Sequence, residues 1–210
     1  MKTLSKIVII ALASTCLSQA AVTINAANFT NLSTGLPVLD ASGVPLTSGN
    51  RSWSVGYFAP SFNFADATAS SIISGFTIFG TTNTNFSFNG AFSGSEAVAL
   101  PANDATFTGK TIYTVVGNGA TVAGSTAFAV LTANVLFPVV DGAANGLATS
   151  STLAPSNVVF GKVLNSGSFT QPAGGSFPSG VQVLTAAIPE PSAALLGALG
   201  ALGLLRRRRI

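Results

Sequence analysis

The acidic side chains are the first candidates for chemistry, because the chain carries few other groups that could act as catalysts. Between its two ends lie five acids, Asp40, Asp66, Glu96, Asp104 and Asp141. Two carboxylates flanking a glycosidic bond can hydrolyse it. However, these acids lie in turn-like stretches such as ANDAT and VDGAANG, where Asp commonly bonds to its own backbone. We therefore expect turn formation at these positions and predict that the protein is not an enzyme.

Metal and nucleophile chemistry is restricted by residue types that the chain lacks. It contains no histidine, and its one cysteine is Cys16, near the N-terminus. The chain after Cys16 therefore has no Cys or His metal ligand, no thiol nucleophile and no Ser-His-Asp triad. Calcium, which takes oxygen ligands in loops, stays open, although no dense acidic loop is present. We predict no cofactor.

Two aromatic residues are the candidates for binding a sugar. Trp53 and Tyr57 in WSVGYF are four residues apart and would share one face of a regular strand, as a platform for stacking. Packing in the core is the alternative, and it is the one that we expect. Arg51, just before them, would either orient a glycan or solvate the edge of the strand, and we expect the latter.

The elements that must position these residues are strands. Phe86, Phe88 and Phe92 in NFSFNGAFS share one parity, which is the period of a strand with one buried face. Other runs rich in Val, Ile, Thr and Phe are AVTINA, WSVGYF, SSIISGFTIFG, TIYTVVG, AFAVLTANVLF, SNVVFGKVL and GVQVLTA. Turns rich in Gly, Asn, Asp and Pro separate these runs.

This pattern predicts an all-β domain of about eight or nine strands over residues 21–165. A β-sandwich or barrel suits such short strands, and we predict a sandwich of the jelly-roll kind. A β-solenoid is the rival, but no fixed repeat length supports it. TSSTLAPS and residues 166–188 are predicted as loop or linker, with a last strand near 180–187.

The charge distribution excludes nucleic acid as a partner. Between the two ends only Arg51, Lys110 and Lys162 are basic, and they are scattered. Binding to nucleic acid needs clustered Lys and Arg that neutralise phosphates. The other six basic residues lie at the extreme ends of the chain, where they belong to two predicted targeting segments.

The N-terminus has the layout of a secretory signal peptide. Lys2 and Lys6 form the charged region, an apolar core follows over residues 7–12, and small residues precede the predicted cleavage between Ala20 and Ala21. The sequence therefore predicts export, a signal helix over residues 1–20, and signal peptidase as a partner.

The C-terminus combines three features in order. Pro189, Glu190 and Pro191 precede an apolar run over residues 192–205, and Arg206, Arg207, Arg208 and Arg209 follow it. As a helix this run would be about 21 Å long against a hydrocarbon core of roughly 30 Å, a short span for a membrane. We predict a short transmembrane helix that lodges temporarily in the inner membrane, with the arginines stopping transfer on the cytoplasmic side.

Together with the signal peptide, these features closely resemble the PEP-CTERM protein-sorting signal. The resemblance covers residues 189–210 and implies processing near the Pro-Glu-Pro triplet by an exosortase, in bacteria that usually make exopolysaccharide. VLDASGVPLTSGNRSWSVGYF and GKTIYTVVGNGATVAGSTAFAVL are also similar to short Ser/Thr/Gly-rich PEP-CTERM proteins of the verrucomicrobial type. This second resemblance implies no activity.

From these observations we expect an exported protein of the cell surface or extracellular matrix, with a structural or adhesive role and exopolysaccharide as a further partner. A carbohydrate-binding module without catalysis is the alternative function. A glycoside hydrolase is a distant third.

Overall fold

The computed structural model describes residues 20–31, 33–47, 49, 51–87, 89–101, 104–139, 145–165, 169–170 and 176–185. Several predictions lie outside these residues. They concern the signal peptide up to residue 19, Phe88, Asp141, the Pro-Glu-Pro triplet at 189–191, the apolar run at 192–205 and the arginines at 206–209.

The described part of the chain is all-β, as predicted, with one short α-helix. The helix is α1 (Ala69–Gly75), and two 3-10 turns occupy Phe64–Asp66 and Pro155–Asn157. The strands are β1 (Ala20–Ala27), β2 (Phe29–Asn31), β3 (Thr34–Gly35), β4 (Val38–Leu39), β5 (Ser52–Phe58), β6 (Phe76–Asn83), β7 (Ser93–Leu100), β8 (Tyr113–Gly117), β9 (Phe128–Leu131), β10 (Gly146–Ser151), β11 (Val158–Phe160), β12 (Lys162–Leu164), β13 (Phe169–Thr170), β14 (Ser176–Phe177) and β15 (Gly180–Gln182).

Two sheets contain the longer strands: the sheet of β10, β1 and β7, called the three-stranded sheet below, and a sheet of five strands. In the first, β1 lies in the centre, parallel to β10 and antiparallel to β7. The second has the order β11-β9-β8-β5-β6. A smaller sheet has the order β12-β15-β4, and β13-β14 and β2-β3 form two-stranded pairs. Neighbours in these sheets are often far apart in sequence, so the fold depends on long-range pairing.

The five-stranded sheet is covered by apolar side chains on both faces. Along β9, Phe128 and Val130 join one cluster while Ala129 and Leu131 join the other, as the period of two requires. The larger cluster also takes Ile24 of β1, so it fills the space between the five-stranded and three-stranded sheets. The smaller cluster packs under α1 and its neighbouring loops.

The stretch SSIISGFTIFG was predicted as one strand, and this prediction is wrong for its first half. Residues of SSIISG form α1, and β6 begins only at Phe76. The reason is a capping box, in which Thr68 Oγ1 accepts the N–H of Ser71 at 3.2 Å and Ser71 Oγ accepts the N–H of Thr68 at 2.8 Å. Ile72 on the inner side of the helix is buried.

The predicted strand at NFSFNGAFS is also wrong. Its described residues are mostly irregular, with a turn at Asn89 and Gly90, and β7 begins only at Ser93; Gly90 takes a φ of 75° that side chains rarely adopt. The N–H of Gly90 donates to the carbonyl of Leu46, and its own carbonyl accepts the N–H of Val38 at 2.8 Å. Phe92 is nevertheless fully buried and Phe86 packs against the same core cluster, so these two aromatic residues serve the core from a loop.

Two strands of the three-stranded sheet were not predicted from the sequence. They are β7, in SGSEAVAL, and β10, in GLATSS, whose last residues overlap the predicted loop TSSTLAPS. The strand at Gly180–Gln182 lies where a last strand was expected, and its Val181 is fully buried. Within the described ranges, no helix has the length and apolar character needed to cross a bilayer.

Candidate functional site

Trp53 of β5 is a core residue. Its side chain is 1% exposed, and its ring stacks on Phe92 with 5.1 Å between the ring centroids. The indole Nε1–H donates to the carbonyl of Asn85 at 3.0 Å, which satisfies its one polar group. The core packing that we expected from the sequence is therefore found for Trp53, and not the sugar platform. Its burial leaves no ring face for a ligand.

Tyr57 lies further along the same strand and is only partly buried. Its ring is engaged by the loop that precedes β8: Lys110 Nζ lies 4.0 Å from the ring centroid, and Phe107 meets the ring edge-to-face at 5.5 Å. The Thr77 hydroxyl and the Lys110 ammonium lower the pKa of the Tyr57 hydroxyl. Tyr57 therefore forms an anchor for this loop rather than an open stacking surface.

Asp104 begins that loop and shapes it. Its Oδ2 accepts the N–H of Phe107 at 2.7 Å, which closes a turn. Burial alone would raise the pKa of the Asp104 carboxyl, but hydrogen bonds from the N–H groups of Phe107 and Thr106 outweigh it and lower that pKa. The predicted turn role is confirmed for Asp104, and the turn carries Phe107 and Lys110 to Tyr57.

Asp40 and Asp66 also act within their own turns. Asp40 Oδ1 accepts the N–H groups of Ser42 and Val44 at 2.8 and 2.9 Å. Asp66 accepts the side-chain amide of Asn63 at 2.6 Å across one 3-10 turn. Asp40 thus stabilises the backbone of its own turn, and Asp66 holds the side chain of Asn63 within the 3-10 turn.

Glu96 is different, and turn chemistry does not describe it. It lies in the middle of β7, 8% exposed, with its carboxylate directed at β6. Its Oε2 accepts the N–H of Thr81 at 3.1 Å, the Thr81 hydroxyl lies 3.2 and 3.3 Å from its two oxygens, and the Asn83 side-chain amide donates to Oε1. Four donor–acceptor contacts hold this one carboxylate.

The backbone of β6 is shaped to receive that carboxylate. Gly80 has a φ of 76°, and a Cβ at this position would overlap Glu96 Oε2. Glu96 thus joins an edge strand of the three-stranded sheet to an edge strand of the five-stranded sheet. The sequence alone did not indicate a partner for Glu96. The one available sign was a lone acid among small residues in SGSEAVAL, in a chain that also contains a Gly-Thr-Thr-Asn stretch.

Asn28 is a second buried polar residue that joins distant segments. Its amide Nδ2 donates to the carbonyls of Leu36 and Gly90, both at 2.9 Å, and its Oδ1 accepts the N–H of Phe92 at 2.7 Å. It is fully buried. Every polar group of this side chain is used, so its role is to connect the end of β1 to two loops.

The remaining polar candidates do not assemble into a site. Arg51 Nη1 donates to the carbonyl of Asn118 at 3.0 Å, and Lys162 is exposed on β12. Among the residues that the structure describes, no three His, Cys, Asp or Glu side chains form a group suited to a metal ion. Comparisons with protein-family models, with curated proteins and with solved structures find no match to this chain.

Proposed function

We propose that this is an exported protein of the bacterial cell surface or extracellular matrix, sorted through a PEP-CTERM-type signal, with a structural or adhesive role. The observation that carries the proposal is the order of segments in the sequence: a signal peptide, a β domain, Pro189-Glu190-Pro191, an apolar run and four terminal arginines. The partners of this route are signal peptidase, an exosortase and the inner membrane, with exopolysaccharide as the surrounding matrix.

The position of β1 is compatible with removal of a signal peptide. Cleavage between Ala20 and Ala21 leaves seven of the eight residues of β1 (Ala20–Ala27) in place. The N–H of Ala21 donates to Asn145 Oδ1 at 3.0 Å, and the amino group created by cleavage would be a donor at the same atom. The mature chain would therefore keep its central strand.

The finer architecture that we propose is a β-sandwich of the jelly-roll kind. Support comes from the larger apolar cluster, which joins Ile24 of the three-stranded sheet to Trp53 and Val116 of the five-stranded sheet. The proposal also includes a signal helix within the signal peptide, ahead of β1, and a short transmembrane helix within 189–210. In this arrangement the membrane segments flank the sandwich at both ends of the precursor.

The outer face of the three-stranded sheet supports a matrix role over an enzymatic one. Apart from the exposed Leu147 beside Thr23, the neighbours across strands on this face are small or polar and uncharged: Thr23 also lies beside Ala97, and Asn25 lies between Ser95 and Thr149. Side-chain hydroxyls and amides exchange hydrogen bonds with water and with sugar hydroxyls without strong dependence on salt. Such a face suits a hydrated polysaccharide environment.

The two competing functions have less support. A carbohydrate-binding module would need an open aromatic ring, whereas Trp53 is buried and Tyr57 is covered by Lys110. A glycoside hydrolase would need two carboxylates free to reach a substrate, whereas Asp104 and Glu96 are bonded within the fold. We therefore keep the structural or adhesive role as the proposed function.

Mass spectrometry of the protein from its native host tests the sorting route. We expect an N-terminus at Ala21 and a C-terminus that lacks Arg206 to Ile210 in the surface or secreted fraction. A Pro189→Ala, Glu190→Ala, Pro191→Ala variant should keep the arginines and stay in the membrane fraction, while Ser192→Ala serves as the matched control. An intact C-terminus on the wild-type surface protein would refute the processing.

A second measurement separates the adhesive role from the binding module. Polysaccharide pull-down should show no loss of retention when Tyr57 is replaced by Ala, because the ring serves the loop around Lys110. Loss of retention in this variant with unchanged thermal stability would favour the module instead. Turnover of a polysaccharide that collapses on replacement of one acid would overturn the non-enzymatic proposal.

A further inference from the structure

The strand β10 has an open edge that carries free backbone groups. It is the outermost strand of its sheet, paired in parallel with β1 only. The N–H of Thr152 donates to the carbonyl of Ala27, the residue whose partner is Ser151, so the even-numbered residues of β10 direct their backbone groups at β1. The N–H and C=O groups of Leu147, Thr149 and Ser151 therefore point away from the sheet.

No described residue bonds to these outward groups. An edge of this kind is a template for pairing with another strand, and proteins usually block it with charge, proline, a bulge or short length. The stretch NGLATSST, residues 145–152, contains neither a charged residue nor a proline. The pairing of β10 with β1 runs without a register shift over six residues.

Four other edge strands carry such protection, and the remaining edge strands in the described ranges, β2, β3, β4, β13 and β14, are only two or three residues long. The register of β11 shifts between Val158 and Phe160, and Gly161 follows with a φ of 136°. The edge strand β12 presents the exposed Lys162, and β6 is distorted at Gly80. At the opposite edge of the sheet that contains β10, the Glu96 side chain of β7 is hydrogen-bonded to β6. The edge of β10 stands apart from these.

The geometry points to a second copy of this chain as the partner of this edge, and we propose that two copies pair through β10 in antiparallel orientation. A two-fold axis at Thr149 would place Thr149 opposite Thr149 of the other copy and Leu147 opposite Ser151. Three outward residues on each copy would then exchange about six hydrogen bonds. The three-stranded sheets would join into one sheet across the two copies.

The side chains beside this edge fit the same arrangement. Leu147, on the edge strand itself, is 65% exposed. Pro138 lies against the start of β10, since a Cβ added to Gly146 would be 2.8 Å from its Cγ. Each copy would bring its exposed leucine over the small Ser151 of the other, and Thr149 would pair with Thr149, which is a favourable cross-strand pair.

Neutrality also selects a second copy over a charged partner. The strand carries no charge, so an isologous pairing brings no like charges together, and no complementary field favours a different protein. An interface built on one strand edge is smaller than that of a tight dimer, so we expect dissociation constants on the order of micromolar. The inference goes beyond the proposed function and does not depend on export.

Disulfide trapping of the full chain in detergent tests the register directly. In a Cys16→Ser background, Thr149→Cys places one thiol on the axis, where hydrogen-bonded antiparallel partners have Cα atoms about 5.5 Å apart, within disulfide range. Ala97→Cys, exposed on the outer face of β7, is the matched control. We expect covalent dimers to form at least about tenfold faster with Thr149→Cys than with the control. Equal rates would overturn the proposal.

Sedimentation equilibrium of the same full chain gives an independent test. Thr149→Lys would bring two ammonium groups face to face, and we expect it to raise the dimer dissociation constant by more than about tenfold. Ala97→Lys adds the same charge to the same sheet and should leave that constant unchanged. Association that survives Thr149→Lys unchanged would come from the apolar tail and would overturn the inference, as would a wild-type chain that stays monomeric at about 1 mM.

A proline variant keeps the test valid if lysine perturbs the fold. Thr149→Pro removes an outward N–H that bonds to no described residue, and edge strands tolerate proline at such positions. We expect it to weaken dimerisation while the thermal unfolding midpoint stays near that of the Ala97→Lys control. Unchanged dimerisation in this variant would also contradict the pairing.

Discussion

The Glu96 clamp between β6 and β7 yields the sharpest stability prediction. The carboxylate is 8% exposed and receives the Thr81 N–H, the Thr81 hydroxyl and the Asn83 amide. Hydrogen bonds to a charged group contribute about 1.5 to 3 kcal/mol each, and a donor left unpaired on burial costs about 1 to 3 kcal/mol. Because Thr81 is exposed and water can replace part of what is lost, we expect Glu96→Ala to lower the free energy of unfolding by about 3 kcal/mol.

Glu96→Gln separates shape from charge. Glutamine has the same length, but its amide NH₂ would face a donor on Thr81 or Asn83, so one acceptor position is lost. We expect a loss of about 1.5 kcal/mol, roughly half of the alanine effect. A double-mutant cycle of Glu96→Ala with Asn83→Ala should give a coupling free energy of about 1 to 2 kcal/mol, because the two side chains are in contact.

Urea unfolding measures all of these variants with one signal. Trp53 is the chain's one tryptophan and is buried against Phe92, so its fluorescence reports on the core that the clamp closes. Ala97→Ser, on the same strand but exposed, is the matched control and should change the free energy of unfolding by less than about 0.5 kcal/mol. The reasoning fails if Glu96→Ala costs less than about 1 kcal/mol and the cycle is additive.

Three further predictions follow from single contacts. Gly80→Ala should lower the free energy of unfolding in urea by about 2 kcal/mol, because φ at this position is 76° and the new Cβ would meet the Glu96 carboxylate. If the loss is equally large in a Glu96→Ala background, the clash with Glu96 is not its cause. The fold lowers the pKa of Asp104 below its ordinary 3.8, so the ionised carboxyl stabilises the fold above that pH, and this stability is lost as the pH falls. Asp104→Asn should therefore reduce the loss of unfolding free energy at acid pH. A variant that loses stability at acid pH as steeply as the wild type would count against this prediction. Trp53→Ala should cost about 3 to 5 kcal/mol in thermal unfolding by circular dichroism, and a loss under 1 kcal/mol would refute its core role.

The strands that the sequence predicted are the ones whose apolar residues stand out from their surroundings. In TIYTVVG and AFAVLTANVLF, β-branched and aromatic residues fill both faces of central strands, and β8 and β9 follow. In SGSEAVAL and GLATSS, by contrast, alanine, glycine and serine dominate. Such residues have weak strand preference on their own, and β7 and β10 form because β1 pairs with both of them.

The candidate site was harder to predict than the fold, for a physical reason. Spacing along one strand correctly placed Trp53 and Tyr57 against the same apolar cluster, but it does not show what covers a face. Trp53 is buried by Phe92, and the ring of Tyr57 is covered by Lys110. Phe92 and Lys110 both come from loops that are distant in sequence. The Glu96 clamp likewise requires a cross-sheet contact that no local pattern records.

Because β1 is the central strand of the three-stranded sheet, that sheet cannot form until both of its neighbours have been made. β1 is the first described strand, yet its partners β7 and β10 end at Leu100 and Ser151. Synthesis runs from the N-terminus, so β1 stays unpaired until β7 is made up to Leu100, and one of its edges stays open until β10 is made up to Ser151. Pairing of such distant segments has a high loop-closure entropy cost and is intrinsically slow. The first described strand therefore completes its pairing only after residue 151 is made, and until then the growing chain carries a strand edge that is open to wrong partners.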